Sequence, residues 1–199
     1  MDKLARISTE ERQVLIVDEA IKIIHEMGYQ SFSIRELSTR VGISEPAIYR
    51  HFLNKEDIVL GILARFSEFD IKLFNEVKLN EKPVEKIQCF VQYHFNFLEK
   101  NPGMTSIVFA EEIFNQSNLI REKMLSIMEK RKRILMNIID EAKLKNQVIN
   151  LETDEILTVI LGIIRLAVLE WRMSGFAFSL SKRGAKTVDT IGKLLLVKK

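Results

Sequence analysis

The fold of this chain is decided by residues 33–52, which have the sequence SIRELSTRVGISEPAIYRHF. Ser33, followed three residues later by Glu36, has the pattern of a capping box, so a short helix begins here. Gly42 suits the left-handed turn that ends such a helix. Ser44 then caps a second helix, and the proline in its first turn costs little because its missing N–H would be unpaired there. This segment predicts a helix-turn-helix.

The side chains of this motif fall on two faces. Helical spacing turns one apolar set inward: Ile34, Leu37, Val41, Ile43, Ile48 and Phe52. The opposite face of the second helix carries small, aromatic and charged groups: Glu45, Ala47, Tyr49, Arg50 and His51. Because such groups suit base edges and phosphates, we expect this helix to lie in a groove of double-stranded DNA.

The net charge of the chain gives little support of its own to nucleic-acid binding. It is +3 at pH 7, but residues 1–60 carry 8 basic and 10 acidic side chains, which gives −2 for the segment that holds the motif. The local charge is more informative. Between Gly28 and Lys55 there are four basic side chains and two acidic ones, so the motif itself is basic.

The rest of the chain predicts an all-α fold of about nine helices. Apolar residues recur at helical spacing, and strand patterns are scarce. Ser8 caps the first helix, and Asn54 caps one that runs to about Val77. Further helices are predicted near 83–100, 103–116, 119–146, 154–174 and 184–197. We divide the chain into a helix-turn-helix DNA-binding domain at 1–54 and a larger helical effector-binding and dimerisation domain at 55–199.

Cysteine usage and hydropathy favour a reducing, aqueous compartment. Cys89 is the single cysteine, so no intrachain disulfide is possible, and we interpret it as an inert buried residue. The most apolar stretch, 156–169, has 14 residues, which is short of the roughly 20 needed to cross a bilayer. The first residues lack the apolar core of a signal peptide, so we expect a cytoplasmic protein without a membrane partner.

Residues in and around the motif resemble the TetR family of transcriptional regulators. The matching positions are Ala20, the pair Gly28-Tyr29, and the segments 33–37, 41–44, 48–52 and 55–56. The resemblance covers about 47 of the 199 residues, from Arg12 to Ile58. It implies a repressor with a helix-turn-helix domain followed by a variable helical domain that binds an effector.

The resemblance also implies roles for individual residues of the motif. Phosphates of the DNA backbone would be held by Ser33, Tyr49, His51 and Lys55. Base edges in the major groove would lie closest to Arg35, Ser44, Ala47 and Arg50. Glu45 departs from the basic residue often found there in the family. It either accepts a hydrogen bond from a cytosine amino group or reduces the attraction to phosphate.

The larger domain is rich in phenylalanine and methionine. Ten of the 12 Phe and five of the 7 Met lie in residues 61–199, where an ordinary core would account for most of them. The family resemblance implies a pocket between the middle helices, and such a lining would suit a small apolar effector. The candidate pocket residues are Phe66, Phe90, Tyr93, His94, Phe97, Met104, Phe109 and Trp171.

The helix near 154–174 carries more apolar residues than one face needs, so we expect a second copy of the chain to cover the excess. With the last helix it would form a homodimer contact through Leu157, Ile160, Leu161, Ile164, Val168, Val188, Ile191 and Leu195. The alternative is a wholly internal helix. A homodimer would hold two recognition helices about 34 Å apart, the spacing of a palindromic operator. Our hypothesis is that a bound effector shifts the helix after Asn54 and disturbs this spacing.

The sequence argues against an enzyme. His25, His51 and His94 lie on separate predicted helices without metal-ligand spacing, Cys89 has no evident base partner, and no glycine-rich phosphate loop is present. We therefore expect no catalysis, no cofactor and no metal. A second alternative stays open: a dimeric DNA-binding protein without a small-molecule effector, which is controlled by protein partners or organises DNA.

Overall fold

A computed structural model of the chain describes residues 8–195 and residue 197. The helices are α1 (Thr9–Met27), α2 (Ile34–Val41), α3 (Glu45–Tyr49), α4 (Lys55–Lys78), α5 (Pro83–Lys100), α6 (Pro102–Val108), α7 (Glu111–Asn115), α8 (Asn118–Leu144), α9 (Thr153–Met173) and α10 (Leu180–Leu195). A turn of 3-10 helix, Tyr29–Ser31, lies between α1 and α2. The described residues contain no β-strand, which confirms the predicted all-α fold. No described helix has the length and apolar character needed to cross a membrane.

Local caps place the first helices where the sequence predicts them. At α1, the Ser8 hydroxyl accepts the Glu11 backbone N–H at 3.1 Å, and the Glu11 carboxylate accepts the Ser8 N–H at 2.8 Å. At α2, Ser33 Oγ accepts the Glu36 N–H at 3.2 Å. Gly42 ends α2 with φ 75° and ψ 32°, a left-handed conformation that a side chain would strain. The predicted starts of both helices and the glycine stop are confirmed.

Two helix boundaries differ from the sequence prediction. The segment predicted as one helix at 103–116 forms α6 and α7, because Ala110 leaves the helical region with ψ 83°. The last helix begins at Leu180 instead of 184, since the Ser179 hydroxyl accepts the Lys182 N–H at 3.2 Å and caps an additional turn. The described residues therefore form ten helices where about nine were predicted.

The described residues pack into two compact units. The first unit contains the residues up to 67 together with 102–126, and the second contains 68–101 together with the residues from 127 onward. Helices α4 and α8 each contribute residues to both units. These units are defined by contact, so the functional division after Asn54 stays a prediction.

In the first unit, α6 packs closely against α1. Gly103 permits this approach, because a Cβ there would lie 2.8 Å from Ile21 Cγ2 and would force the helices apart. His25 Nδ1 and Ser106 Oγ are 2.9 Å apart across the same pair of helices, at hydrogen-bonding distance. Helix α6 therefore packs as part of the unit that contains the helix-turn-helix.

In the second unit, α10 packs along α5 and also contacts α9. Gly184 of α10 lies so near Phe95 of α5 that a Cβ would be 2.8 Å from Phe95 Cδ2. The C-terminal end of α9 is closed by Trp171, whose Nε1–H donates to the Phe178 carbonyl at 2.8 Å. The Trp171 ring stands edge-on to Phe176, with the ring centres 4.7 Å apart. The loop between α9 and α10 is thus fixed to the helix that precedes it.

Helix α9 carries apolar side chains on two faces, as predicted, but the face offered to a second copy has to be corrected. Six residues assigned to the dimer contact are at most 7% exposed within the single chain: Leu157, Ile160, Ile164, Val168, Ile191 and Leu195. Leu161 and Val188 are half-buried. The free apolar side chains of α9 are 38–80% exposed, namely Val159, Leu166, Leu169 and Met173. The helical spacing of three and four residues grouped the predicted contact residues on one face of α9. In the structure α9 buries that face against its own chain.

Candidate nucleic-acid interface and effector site

The helix-turn-helix at 33–52 is held in shape by a buried inner face. Leu37 and Ile48 have no exposed surface, and Val41 and Phe52 are 5% and 8% exposed. The inward orientation that helical spacing predicts for these four side chains is confirmed. Because their burial fixes α3 against α2, the other side of α3 is left to contact a partner.

The outer face of the motif presents polar groups to solvent. Six of the nine residues predicted to contact DNA are exposed: Ser33, Arg35, Ser44, Glu45, Tyr49 and Arg50. Neither Arg35 nor Arg50 has a carboxylate within 4.0 Å among the described residues. Ser44 stands at the predicted cap position of α3, but its hydroxyl makes no capping hydrogen bond, which corrects the prediction that it caps this helix. These guanidinium and hydroxyl groups can therefore bond phosphates or base edges.

Ala47 does not belong to this outer face. It is 9% exposed and lies on the buried side of α3, beside Ile48. Helix α3 has only five residues, so it completes less than two turns and two consecutive inward positions occupy its middle. This corrects the prediction that Ala47 faces the base edges.

Two basic residues in and next to the motif are engaged within the protein. Arg40 forms ion pairs with Glu36, at 2.8 Å, and with Glu26, at 2.5 Å. Lys55 Nζ lies 4.1 Å from the centre of the Tyr29 ring and 3.4 Å from the Tyr29 carbonyl oxygen. Burial lowers the pKa of Lys55 below its ordinary value. Lys55 therefore ties the start of α4 to the turn after α1, and its contact with a phosphate stays a prediction.

His51 is a half-buried side chain beside the exposed face. Burial, followed by the positive charges of Arg12 and Arg50, lowers the pKa of His51 from its ordinary value. Its Nδ1 is buried without a hydrogen-bond partner among the described residues, so Nε2 is the nitrogen that can bond an outside group. The predicted contact of His51 with a phosphate would therefore be made through Nε2, and it stays a prediction.

A second candidate site is an aromatic cluster around Phe69 of α4. The Phe69 ring centre lies 5.3 Å from that of Tyr93, 5.0 Å from that of His94 and 4.5 Å from that of Phe97. Phe90 packs on His94 at 4.5 Å between ring centres. The four residues from α5 in this cluster were all predicted to line an effector pocket, and the structure brings them together on one helix.

A buried ion pair lies beside the same cluster. Asp70 is 8% exposed, and its Oδ1 accepts the Arg131 Nε–H at 2.8 Å. The Arg131 guanidinium also lies over the Phe69 ring, 4.6 Å from the ring centre. Burial raises the pKa of Asp70, while the positive charge of Arg131 and its hydrogen bond act against that rise. The pair adds charged groups to an otherwise aromatic site.

The remaining predicted pocket residues are grouped differently by contact or make their contacts in the loop after α9. Phe66, Met104 and Phe109 belong to the first unit, whereas the Phe69 cluster belongs to the second. Trp171 packs on the loop after α9 and makes its hydrogen bond there. The prediction placed these residues in one pocket because aromatic and Met residues at helical spacing indicate buried positions. Spacing does not show which buried residues contact one another.

Sequence reasoning missed Phe69, Asp70 and Arg131. A signal for the two charged residues was present, because each stands where helical spacing calls for an apolar side chain. Asp70 follows buried Phe66 by four residues, and Arg131 follows buried Ile127 by four. A charged residue at such a position indicates a buried partner.

An exposed, basic and aromatic helix-turn-helix face on an all-α chain defines a DNA-binding transcriptional regulator. Two family profiles match the chain: "Bacterial regulatory proteins, tetR family" over residues 16–62, and "YsiA-like protein, C-terminal region" over residues 63–197. The chain belongs to the TetR family. The resemblance of the motif alone predicted this membership. The second profile match extends the similarity through the larger helical part.

Relatives of known function carry two different roles in their names. The nucleoid occlusion factor SlmA of Glaesserella parasuis is 26% identical over 144 residues, which cover 72% of each chain. The fatty acid metabolism regulator protein of Bacillus subtilis is 27% identical over 128 residues, which cover 63% of this chain and 65% of that protein.

Solved structures share the fold along almost the whole chain. The fatty acid degradation regulator FadR from Bacillus halodurans superposes with a TM-score of 0.81 at 22% identity, covering 90% of this chain and 94% of that one. FadR from Bacillus subtilis in complex with stearoyl-CoA has a TM-score of 0.78 at 22% identity, with coverages of 89% and 96%. At these identities the likeness shows the fold alone. It confirms an N-terminal helix-turn-helix followed by a larger helical part.

Proposed function

We propose that this chain is a homodimeric repressor that binds a palindromic operator and releases it when a fatty-acyl effector binds. The observation that carries the proposal is the aromatic cluster around Phe69, in a region that matches the YsiA-like C-terminal profile. The name of the Bacillus subtilis relative and the stearoyl-CoA complex of the similar structure support the choice of an acyl effector.

Operator binding is assigned to the exposed face of the helix-turn-helix. Arg35 and Arg50 would contribute guanidinium groups, and Tyr49, which is 48% exposed, an aromatic side chain with a hydroxyl. Ser33 would bond a phosphate at the start of α2, where backbone N–H groups already favour an anion. Glu45 lies exposed beside them and would select among base pairs, since carboxylates accept from cytosine and repel phosphate.

Dimerisation is assigned to the outer face of α9. Leu166 and Met173 are 57% and 80% exposed, and Val159 and Leu169 are each 38% exposed on the same helix. A second copy that covers this stripe by two-fold symmetry would bury it against itself. The resulting pair of motifs could contact successive major-groove faces of one operator.

Coupling between effector and operator is assigned to α4. This helix is continuous from Lys55, beside the recognition motif, to Lys78, and it carries Phe69 on the way. An effector that binds at Phe69 and favours a displaced α4 would alter the position of the motif. Its influence on operator affinity is limited by the difference between its own affinities for the two arrangements.

The test has two stages. Genome-wide selection of bound DNA fragments with the purified protein would first yield an operator. The affinity of the protein for that duplex is then measured with and without palmitoyl-CoA. We expect palmitoyl-CoA to weaken operator binding at least about tenfold, equivalent to a coupling of about 1.4 kcal/mol. Unchanged operator affinity would exclude the acyl effector.

A second candidate is a DNA-binding dimer without a small-molecule effector, which acts through protein partners or organises DNA. The similarity to the nucleoid occlusion factor SlmA over 72% of the chain favours it. The same selection separates the two candidates. Sites scattered over the chromosome, together with indifference to palmitoyl-CoA, would favour this role over that of a local repressor.

A further inference from the structure

The outer face of α9 carries a stripe of residues with the spacing of a coiled-coil seam. Its members follow one another in steps of three and four residues: Val159, Gly162, Leu166, Leu169 and Met173. All of them are exposed, and none of them carries a charge. Uncharged residues in this spacing form the contact line between two helices that pack side by side, because the line keeps facing the partner helix. We call this stripe the α9 seam.

Gly162 leaves a gap in the α9 seam. Beyond the backbone of its own helix, a Cβ at this position would meet no neighbouring group within 4 Å, so packing inside the chain does not require a glycine. Glycine inside a helix is less stable than alanine. The reason for Gly162 therefore lies outside the single chain, in a partner that needs the space.

Met173 provides a side chain that can fill such a gap. It is the last residue of α9, and it is 80% exposed. Methionine is unbranched and adapts its shape to an irregular space. Gly162 and Met173 are eleven residues apart on one helix, so they cannot meet within one copy of the chain. They can meet between two copies.

The α9 seam is self-complementary under two-fold symmetry. When two copies of α9 run antiparallel about an axis between Ala167 and Val168, Met173 of each copy lies opposite the partner's Gly162. The same arrangement places Leu166 of each copy opposite the partner's Leu169. Each copy then provides both a protruding side chain and the gap that receives it, as an isologous contact requires.

The charges at the two ends of α9 fit the same arrangement. Three exposed carboxylates lie at the start of α9, within residues 152–155. Exposed Lys182 and Lys186 make the start of α10 basic, and the ion pair of Arg183 with Glu170, at 3.1 Å, places this segment beside the end of α9. Antiparallel packing brings the acidic start of each α9 towards the basic segment of the other copy. A second copy is therefore complementary to this face in charge as well as in shape.

We propose that α9 pairs antiparallel with α9 of a second copy, and that Met173 of each copy fills the gap over the partner's Gly162. The inference rests on the proposed function, which assigns dimerisation to this face. It adds the register of the contact and the residues that make it selective for an identical chain, because a related chain with a side chain in place of Gly162 would collide with Met173. The seam belongs to α9, since the exposed side of α10 carries five charged side chains within residues 182–193.

The experiment exchanges the two side chains and measures the dissociation constant of the dimer by sedimentation equilibrium of the full-length protein without DNA. Gly162→Met fills the gap and should weaken the dimer at least about tenfold, because the partner's Met173 no longer fits. Met173→Gly leaves the gap empty and should weaken the dimer by about the same factor. The double variant Gly162→Met/Met173→Gly again pairs one large residue with one small residue. Its dissociation constant should return to within about threefold of the wild type.

Two controls separate the contact from the stability of the single chain. Ala64→Met introduces the same side chain at an exposed position of α4 and should leave the dimer unchanged. Circular dichroism of each variant shows whether its helices are intact, and Gly162→Met should not reduce the helix content because methionine favours a helix more than glycine does. Met173→Ala removes the long side chain with less effect on the helix, and it provides the reading if Met173→Gly shortens α9.

The outcomes separate this inference from the function on which it rests. A dimer as tight in Gly162→Met as in the wild type would overturn the inference, and so would an equal loss in Ala64→Met. A double variant no tighter than the single variants would overturn the pairing of Gly162 with Met173. In each of these cases, a dimeric wild type that binds its operator leaves the proposed function intact. A monomeric wild type overturns the inference, and a wild type that is monomeric on its operator as well overturns the proposed function.

Discussion

The helix-turn-helix and the Phe69 cluster are built by interactions of very different range. In the motif, the contact that starts α2 joins Ser33 to a residue three positions away, and Gly42 stops the helix through its own φ of 75°. In the cluster, the ion pair joins Asp70 to Arg131 across 61 positions of sequence, and the aromatic rings come from α4 and α5. The first region is determined locally, and the second by packing between distant segments.

This difference explains which side chains are free to act. A local signal sets where a helix begins, but it does not show whether a charged side chain on it is already paired. Arg40 and Arg50 look equivalent in the sequence of the motif. In the structure Arg40 is held by two carboxylates, whereas Arg50 is exposed without an ion pair among the described residues. Whether a charged side chain can bind a partner in either region therefore depends on whether it is already paired within the protein.

Breaking the long-range pair should have the largest effect on stability. Arg131→Met leaves the Asp70 carboxylate buried without its partner, because Asp70 is 8% exposed. We expect a loss of about 3 kcal/mol in the free energy of unfolding, measured by urea titration. The double variant Asp70→Leu/Arg131→Met removes both charges and should recover most of that loss. A single variant as stable as the wild type would show that the pair is not buried in solution.

Replacing Gly42, the local signal that ends α2, should reduce the free energy of unfolding by a smaller amount. Gly42→Val places a branched side chain at φ 75°, where nothing crowds a Cβ but the backbone itself is strained. We expect a loss of about 1–2 kcal/mol in the free energy of unfolding. Ala64→Val is the matched control, since it places the same side chain at an exposed position inside α4. That control should lose only about 0.5 kcal/mol, the difference in helix propensity. Equal losses in the two variants would contradict a special role for the Gly42 turn.

The smallest effect concerns the neutral histidine of the cluster. The pKa of His94 is about 3 in the folded chain, below its ordinary 6.5. The unfolded chain therefore takes up a proton that the folded chain refuses, and stability falls as the pH drops below about 6.5. Between pH 7.5 and 5.5 this contribution is about 1 kcal/mol, and it should be absent from His94→Gln. Identical pH dependence of urea unfolding in both proteins would show that His94 is not held neutral.

The same contrast sets the limit of prediction from sequence. The capping residues Ser8 and Ser33 and the Gly42 stop could be predicted, because each acts on its own neighbours. The burial of Ala47 could not, since a helix of five residues is too short to show a period. The engagement of Lys55 by Tyr29 depends on a contact across 26 positions, which no local pattern encodes.

The outer face of α9 shows an intermediate case. The excess of apolar residues predicted a second apolar face, and Leu166 and Met173 are indeed exposed. The identity of that face was not predictable, because both stripes have helical spacing and only the packing of α9 within its own unit decides which one is buried.

The most direct test of the account is the affinity of the protein for its selected operator duplex and for unrelated duplexes, measured by fluorescence anisotropy. Arg50→Ala should weaken binding at least about tenfold and reduce the preference for the operator over unrelated duplexes, because a side chain assigned to base edges is lost. Arg40→Ala, on the same motif, should leave both quantities close to the wild type when its helix content is unchanged. Undiminished operator affinity in Arg50→Ala, or an equal loss in a folded Arg40→Ala, would contradict the assignment of the DNA-binding face.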